Sequence, residues 1–194
     1  MTSCEFLNNT AQGIFTDLPY RGNGGGLSIG IHNVLGNRVP SYTIRDSTFA
    51  NNTAISNVTN VTDEQSGAMI IEDQIFNGRG GGVAIVLSQG SPVNITVQTC
   101  TFSHNTASSF AGGLYFLPAV PSRGHTYTIE DSTFTSNVAS FGGGGLGIGY
   151  ISDGAPGAIN RCYIRNCTLR GNRGDFGGGL YVVPGEERSG QLVT

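Results

Sequence analysis

The sequence contains no lysine and no tryptophan, and only 12% of its residues are charged. All ten basic residues are arginines, spread along the chain, and the net charge is -3. With no basic stripe, a nucleic-acid-binding surface is not expected. No run of about 18 apolar residues occurs, so no membrane-spanning helix is expected. The four cysteines show no CxxC spacing, and His32, His104 and His125 fall at unrelated points of the pattern described below, so no metal and no cofactor is implied. The absence of lysine rules out a GxxxxGK[ST] phosphate loop. Each glycine run also leads into a strand pattern rather than a helix, which leaves no helix N-terminus for an anion.

What the chain has in quantity is glycine, 31 residues of it, and repetition. Residues 95–118 (ITVQTCTFSHNTASSFAGGLYFLP) recur as residues 127–150 and again as residues 162–184. Two earlier copies carry insertions near residues 12–23 and 55–79. Self-similarity at this period decides architecture before any local signal does. Aligned on their apolar anchors, the copies place Phe6, Phe49, Phe102, Phe134 and Leu169 in one column and Asn9, Asn52, Asn105, Asn137 and Asn172 in another. Apolar residues alternate on either side: Ile44, Val97, Ile129 and Ile164 before the anchor, and Leu27, Val83, Leu114, Leu146 and Leu180 after the glycines. This is the period of strands, not of helices.

The expectation is an all-β, right-handed, single-stranded parallel β-helix of about five coils, with three strands per coil and equivalent strands about 4.8 Å apart along the axis. The phenylalanines would fill the lumen, the asparagines would bond amide to amide along a turn, and the glycines would supply positive φ values at a sharp corner. Residues 1–194 read as one repeat domain and as a window onto a longer chain. Its open strand edges are expected to associate unless covered. Within the second insertion, residues 68–71 are expected to add a strand.

The pattern FxxN followed by GG[GA][LIV] resembles the repeats of polymorphic outer membrane proteins, found in bacterial surface autotransporters. It is also similar to right-handed β-helix repeats of eukaryotic extracellular proteins. The resemblance covers nearly all of the chain outside the insertions. It implies the pectin-lyase-like solenoid fold and an extracellular or cell-surface stem for adhesion, or for carbohydrate or protein binding, flanked by adjacent coils of a full-length protein. The alternative on the same fold is a polysaccharide lyase or hydrolase with its catalytic coils partly outside this chain.

Candidate site residues follow from the outward columns. Tyr115 and Tyr181 flank Gly147 and are expected to be exposed aromatics over a glycine floor, suited to stacking on sugar rings or a partner's side chains. Thr48, Thr101, Thr133 and Thr168 form a flat outward face, which β-branched residues favour on any exposed strand. Asp46, Thr99, Asp131 and Asn166 share a turn column. Glycoside hydrolysis needs two carboxylates about 5–9.5 Å apart, whereas Asp46 and Asp131 are separated by a whole coil, so no catalytic residue is assigned. Cys4, Cys100 and Cys167 alternate with Ser47 and Ser132 in one column, which puts successive thiols about 10 Å apart and beyond disulfide reach. Of six N-x-[ST] sequons, at Asn8, Asn51, Asn57, Asn60, Asn94 and Asn166, those at Asn57 and Asn60 lie in a polar insertion and are the expected glycosylation sites of a secreted protein.

Overall fold

A computed structural model describes residues 1–13, 23–31, 39–56, 78–87, 92–117, 124–149, 160–182 and 191–193. The sequons at Asn57 and Asn60, the expected strand at 68–71 and most of both insertions lie outside them. The described residues form a parallel β-helix of nineteen strands in four sheets. The first sheet stacks β4 (Ser41–Arg45), β8 (Asn94–Gln98), β12 (Thr126–Glu130), β16 (Asn160–Arg165) and β19 (Gln191–Val193). The second stacks β1 (Glu5–Leu7), β5 (Thr48–Ala50), β9 (Thr101–Ser103), β13 (Thr133–Thr135) and β17 (Thr168–Arg170). A third holds β2 (Thr10–Gly13), β6 (Thr53–Ser56), β10 (Thr106–Ala107) and β14 (Val138–Ala139). The fourth holds β3 (Leu27–Ile31), β7 (Val83–Leu87), β11 (Leu114–Leu117), β15 (Leu146–Ile148) and β18 (Leu180–Val182).

The third sheet corrects the expectation of three strands per coil. The segment after each ladder asparagine reads as a small-residue turn because its regular part is as short as two residues. Pairing to the coils above and below, not length, makes it a sheet: Thr106 and Ala107 are held by Thr53 and Ala54 on one side and by Val138 and Ala139 on the other. The insertions are correspondingly narrower than the sequence suggests, since Gln12 and Gly13 belong to β2 and Ile55 and Ser56 to β6.

Register follows the columns. Phe6, Phe49, Phe102 and Phe134 stack with ring centroids 4.7–5.0 Å apart and planes within 9° of parallel. The asparagines form an unbroken ladder beside them. Asn52, for example, donates its backbone N–H and its Nδ2 to Asn105 Oδ1 at 3.0 and 3.1 Å, and Asn105 donates both to Asn137 Oδ1 at 3.0 and 2.9 Å. The second Nδ2 proton reaches a phenylalanine carbonyl one coil back, from Asn105 to Phe49 O at 2.9 Å and from Asn137 to Phe102 O at 2.9 Å. Asn52, Asn105 and Asn137 are fully buried, and their donors are accounted for, as buried polar groups require.

The glycine corner works differently from the expectation. Of the three corner positions directly ahead of each fourth-sheet strand, only the first is left-handed: Gly24, Gly80, Gly143 and Gly177, with Ala111 adopting φ 55° in the same place. The second and third positions need glycine for a different reason. A Cβ at Gly26 would lie 2.7 Å from Gly82 O and 2.9 Å from Asn52 Nδ2. The coils are in contact there, and the ladder amide occupies the space a side chain would need.

The cysteine column behaves as read. Cys100 N–H donates to Ser132 Oγ at 3.1 Å, and all four thiols are free. Cys162 faces the lumen in the column of Tyr42, Ile95 and Tyr127, and burial pushes its thiol up to about 12. Tyr42 departs from this column's burial: it is 39% exposed because β4 is the edge of the first sheet.

His125 sits beside the same lumen, almost fully buried. Its Nδ1 accepts the Val93 N–H at 3.2 Å. Burial lowers its pKa to about 4, while the unfolded chain titrates near 6.5. Between those values the unfolded state binds a proton that the native state refuses, so stability is full above about pH 6.5 and falls as the pH drops toward 4, by up to roughly 3 kcal/mol. Thermal midpoints measured across this window should fall in the wild type and fall clearly less in His125→Gln.

Candidate functional site: an aromatic ledge outside the glycine corner

The residue immediately before each left-handed corner points away from the lumen. Backbone bonds from Gly24 to Arg79, Gly80 to Phe110, Ala111 to Gly142 and Gly143 to Phe176 place Asn23, Arg79, Phe110, Gly142 and Phe176 in one outward column. The outward column of the fourth sheet runs beside it: Ser28, Ala84, Tyr115, Gly147 and Tyr181. Where the two columns meet, a second apolar cluster forms outside the barrel around Phe110, Ala111, Tyr115 and Leu117, with Phe141 and Tyr181 packed against it.

Tyr115 and Tyr181 do face outward with Gly147 between them, but the expectation that both are exposed fails for Tyr115, which is only 2% exposed. The glycine floor is covered by Tyr115 itself. A Cβ at Gly147 would meet Tyr115 Cδ2 at 2.8 Å, and one at Gly149 would overlap its hydroxyl. Above it lies the buried guanidinium of Arg79, 5.0 Å from the Tyr115 ring centroid and 5.5 Å from that of Phe110. A cation over two ring faces in a dry site is an attractive contact. Burial pushes the Tyr115 phenol up, with Arg79 pulling the other way. Tyr115 is therefore part of the ledge's foundation.

The accessible part lies nearer the fifth coil. Phe141 meets Phe110 edge-on at 4.8 Å and lies tilted against Phe176 at 4.9 Å, and Phe176 lies 6.2 Å from Tyr181. Phe176 is 53% exposed, and Phe141 and Tyr181 are half-buried. Three aromatic side chains on one rigid wall offer ring faces and edges to a flat apolar partner such as a sugar ring. Phe110, Phe141, Phe176 and Arg79 were not singled out from the sequence. The available signal was a phenylalanine directly ahead of each of the last three glycine runs.

The other candidate columns are also placed. Asp46, Thr99, Asp131 and Asn166 occupy a left-handed corner with φ of 48–53°, a conformation that short polar side chains tolerate. Asn166 Nδ2 donates to Asp131 Oδ1 at 2.6 Å, which ties this carboxylate to the turn of the next coil. Thr48, Thr101, Thr133 and Thr168 line up in register on the second sheet. Among the described residues, no three His, Cys, Asp or Glu side chains gather as metal ligands would, and no helix is long and apolar enough to cross a membrane. No family model, no curated protein and no solved structure matches this chain.

Proposed function

We propose that this chain is a non-catalytic β-helix stem of an extracellular or cell-surface protein, of the kind represented by polymorphic outer membrane protein repeats, and that it binds carbohydrate or a partner protein through its aromatic ledge. The observation that carries this reading is the combination of Phe141, Phe176 and Tyr181 partly open to solvent on a wall whose foundation, Tyr115 and Phe110, is buried. A sugar-stacking site needs aromatic faces held in place before binding, because ordering them on binding would cost affinity. The interior ladders supply that rigidity. The carboxylates lend no support to hydrolysis: Asp46 and Asp131 stand two coils apart, and Asp131 is engaged by Asn166.

A glycan array probed with the wild type and with the double variant Phe176→Ala/Tyr181→Ala tests the reading. Binding in the wild type that drops about 5- to 150-fold in the variant, at unchanged circular dichroism, is the expected result, since each lost stacking contact is worth about 0.5–1.5 kcal/mol. Equal binding by both forms would exclude the ledge. Release of reducing or unsaturated ends from any arrayed polysaccharide would favour the lyase or hydrolase alternative.

A further inference from the structure

The rings of the ledge form a closed circuit rather than a platform. Phe110 meets Phe141 at 4.8 Å, Phe141 meets Phe176 at 4.9 Å, Phe176 meets Tyr181 at 6.2 Å, and Tyr181 returns to Phe110 at 5.7 Å. Neighbouring exposed rings are inclined by 49° (Phe141 to Phe176) and 39° (Phe176 to Tyr181), which denies a flat ligand two coplanar faces. Phe176 and Tyr181 stand in outward columns of the wall, and Phe141 packs against the outer cluster. Access is therefore from the side and does not depend on either end of the stack.

The circuit and its rim are rich in acceptors. An aromatic face is the negative side of the ring quadrupole. The register that pairs Gly142 with Phe176 sets Asp175 opposite Phe141. Asp175 is exposed, and no ion pair links it to Arg173 two positions away. An ionised carboxylate only accepts hydrogen bonds. Backbone donors beside the rings are engaged inside the wall: Phe176 N–H donates to Phe141 O at 2.7 Å, and Gly143 N–H to Phe176 O at 3.0 Å. A sugar brings hydroxyls that use donors as well as acceptors, whereas a cation brings donors alone and is drawn to ring faces. The same wall already holds a cation. Arg79 lies over Tyr115 and Phe110, and Phe110 belongs to the circuit. Arg79 and Phe176 are three coils apart in their column, about 14 Å. That exceeds a screening length of about 8 Å at physiological salt, so Arg79 does little to oppose a second cation.

We infer that the ledge takes an arginine side chain of a partner protein, its guanidinium laid against Phe141, Phe176 and Tyr181 and its N–H fork turned to the Asp175 carboxylate. The inference rests on the ledge being the binding surface, and it names which of the two partner classes fits. Arginine suits the site better than lysine. A planar guanidinium stacks on rings and donates in pairs to a carboxylate, while an ammonium is held more strongly by water. Arg79 over Tyr115 and Phe110 shows the contact within the chain, and Arg165 repeats it over Tyr163 at 5.1 Å on the first sheet. The net charge of -3 favours the approach of a basic surface.

Nuclear magnetic resonance titration of the whole chain with acetyl-Gly-Arg-Gly-amide tests the inference. The comparison is the same peptide with citrulline, which keeps the shape and removes the charge. The arginine peptide should shift the Phe and Tyr ring signals weakly but saturably. The citrulline peptide should bind about 3- to 30-fold more weakly, having lost both the cation–π contact and the ion pair. Asp175→Asn should weaken arginine binding by up to about fivefold, and Phe176→Ala by about two- to fivefold. Both positions are exposed, so neither change should disturb the fold, which circular dichroism checks. Equal binding of the two peptides overturns the inference, as does arginine binding that neither substitution weakens. Glycan binding lost in Phe176→Ala/Tyr181→Ala, with no binding of the arginine peptide, also overturns it and leaves the ledge as a sugar site. Binding of neither class to the ledge sinks the proposed function along with it.

Discussion

Asn105→Ala should remove a large share of the stability of this solenoid. Asn105 is fully buried in the middle of the ladder. Its Oδ1 accepts from the Asn52 N–H and Nδ2, and its Nδ2 donates to Asn137 Oδ1 and Phe49 O. Truncation to a methyl group breaks all of these at once and leaves the Asn52 N–H facing an apolar cavity. With each orphaned buried group costing about 1–3 kcal/mol, the expected loss is about 4 kcal/mol, measured as a fall in the urea midpoint. That is a large share of the 5–15 kcal/mol typical of a whole domain. Asn9→Ala is the control. Asn9 is exposed and only donates, to Asn52 Oδ1 at 2.9 and 3.0 Å. Water replaces such a bond, so the loss in dilute solution should stay near 1 kcal/mol. Equal losses for the two variants would mean that the amide ladder contributes nothing beyond its backbone register.

Gly112→Ala is expected to be at least as damaging, for a purely steric reason. A Cβ there would lie 2.5 Å from Val138 O, 2.6 Å from Val138 N and 2.7 Å from Asn105 O. All three are backbone atoms, two on the next coil and one in the turn that carries the ladder, so none can yield like the end of a flexible side chain. Overpacking against fixed backbone costs about 3 kcal/mol or more and should part the third sheet at β10 and β14. The matched variant is Gly171→Ala. Gly171 has φ of +63°, but its nearest obstruction is Ser136 Oγ at 3.6 Å, and its column neighbours Asn8, Asn51, His104 and Ser136 hold similar φ values without being glycine. Its cost should be limited to the left-handed backbone, about 1 kcal/mol. Urea titration of both variants separates close approach from backbone conformation. If Gly171→Ala were the worse of the two, conformation rather than coil contact would explain the glycine runs.

The same contrast shows what could be read from the chain. The Phe and Asn columns were legible because each recurs at a fixed offset in every copy and serves one purpose in all of them. Their stacking and hydrogen bonding needed only the strand spacing to be inferred. The third sheet was not legible. In β10 and β14 two residues per coil carry no periodicity, and only the neighbouring coils turn them into strands. Tyr115 was misread in exposure for a related reason. Alternation along β11 correctly sends its side chain outward, but alternation says nothing about a second cluster outside the barrel. Phe110 and Arg79 bury it, and Arg79 arrives from the far end of an insertion that no repeat pattern governs.

By itself, then, the sequence determined the architecture, the lumen and its register, because a stacked coil repeats one set of local constraints and repetition makes each of them visible. Tertiary structure alone decided which outward residues meet solvent and which meet one another. It settled that two of three corner glycines are there for lack of room rather than for backbone freedom, and that Phe141, Phe176 and Tyr181 form the accessible ledge while Tyr115 supports it. Those outcomes depend on contacts between residues of neighbouring coils, more than 30 positions apart along the chain, whose distances no single repeat encodes.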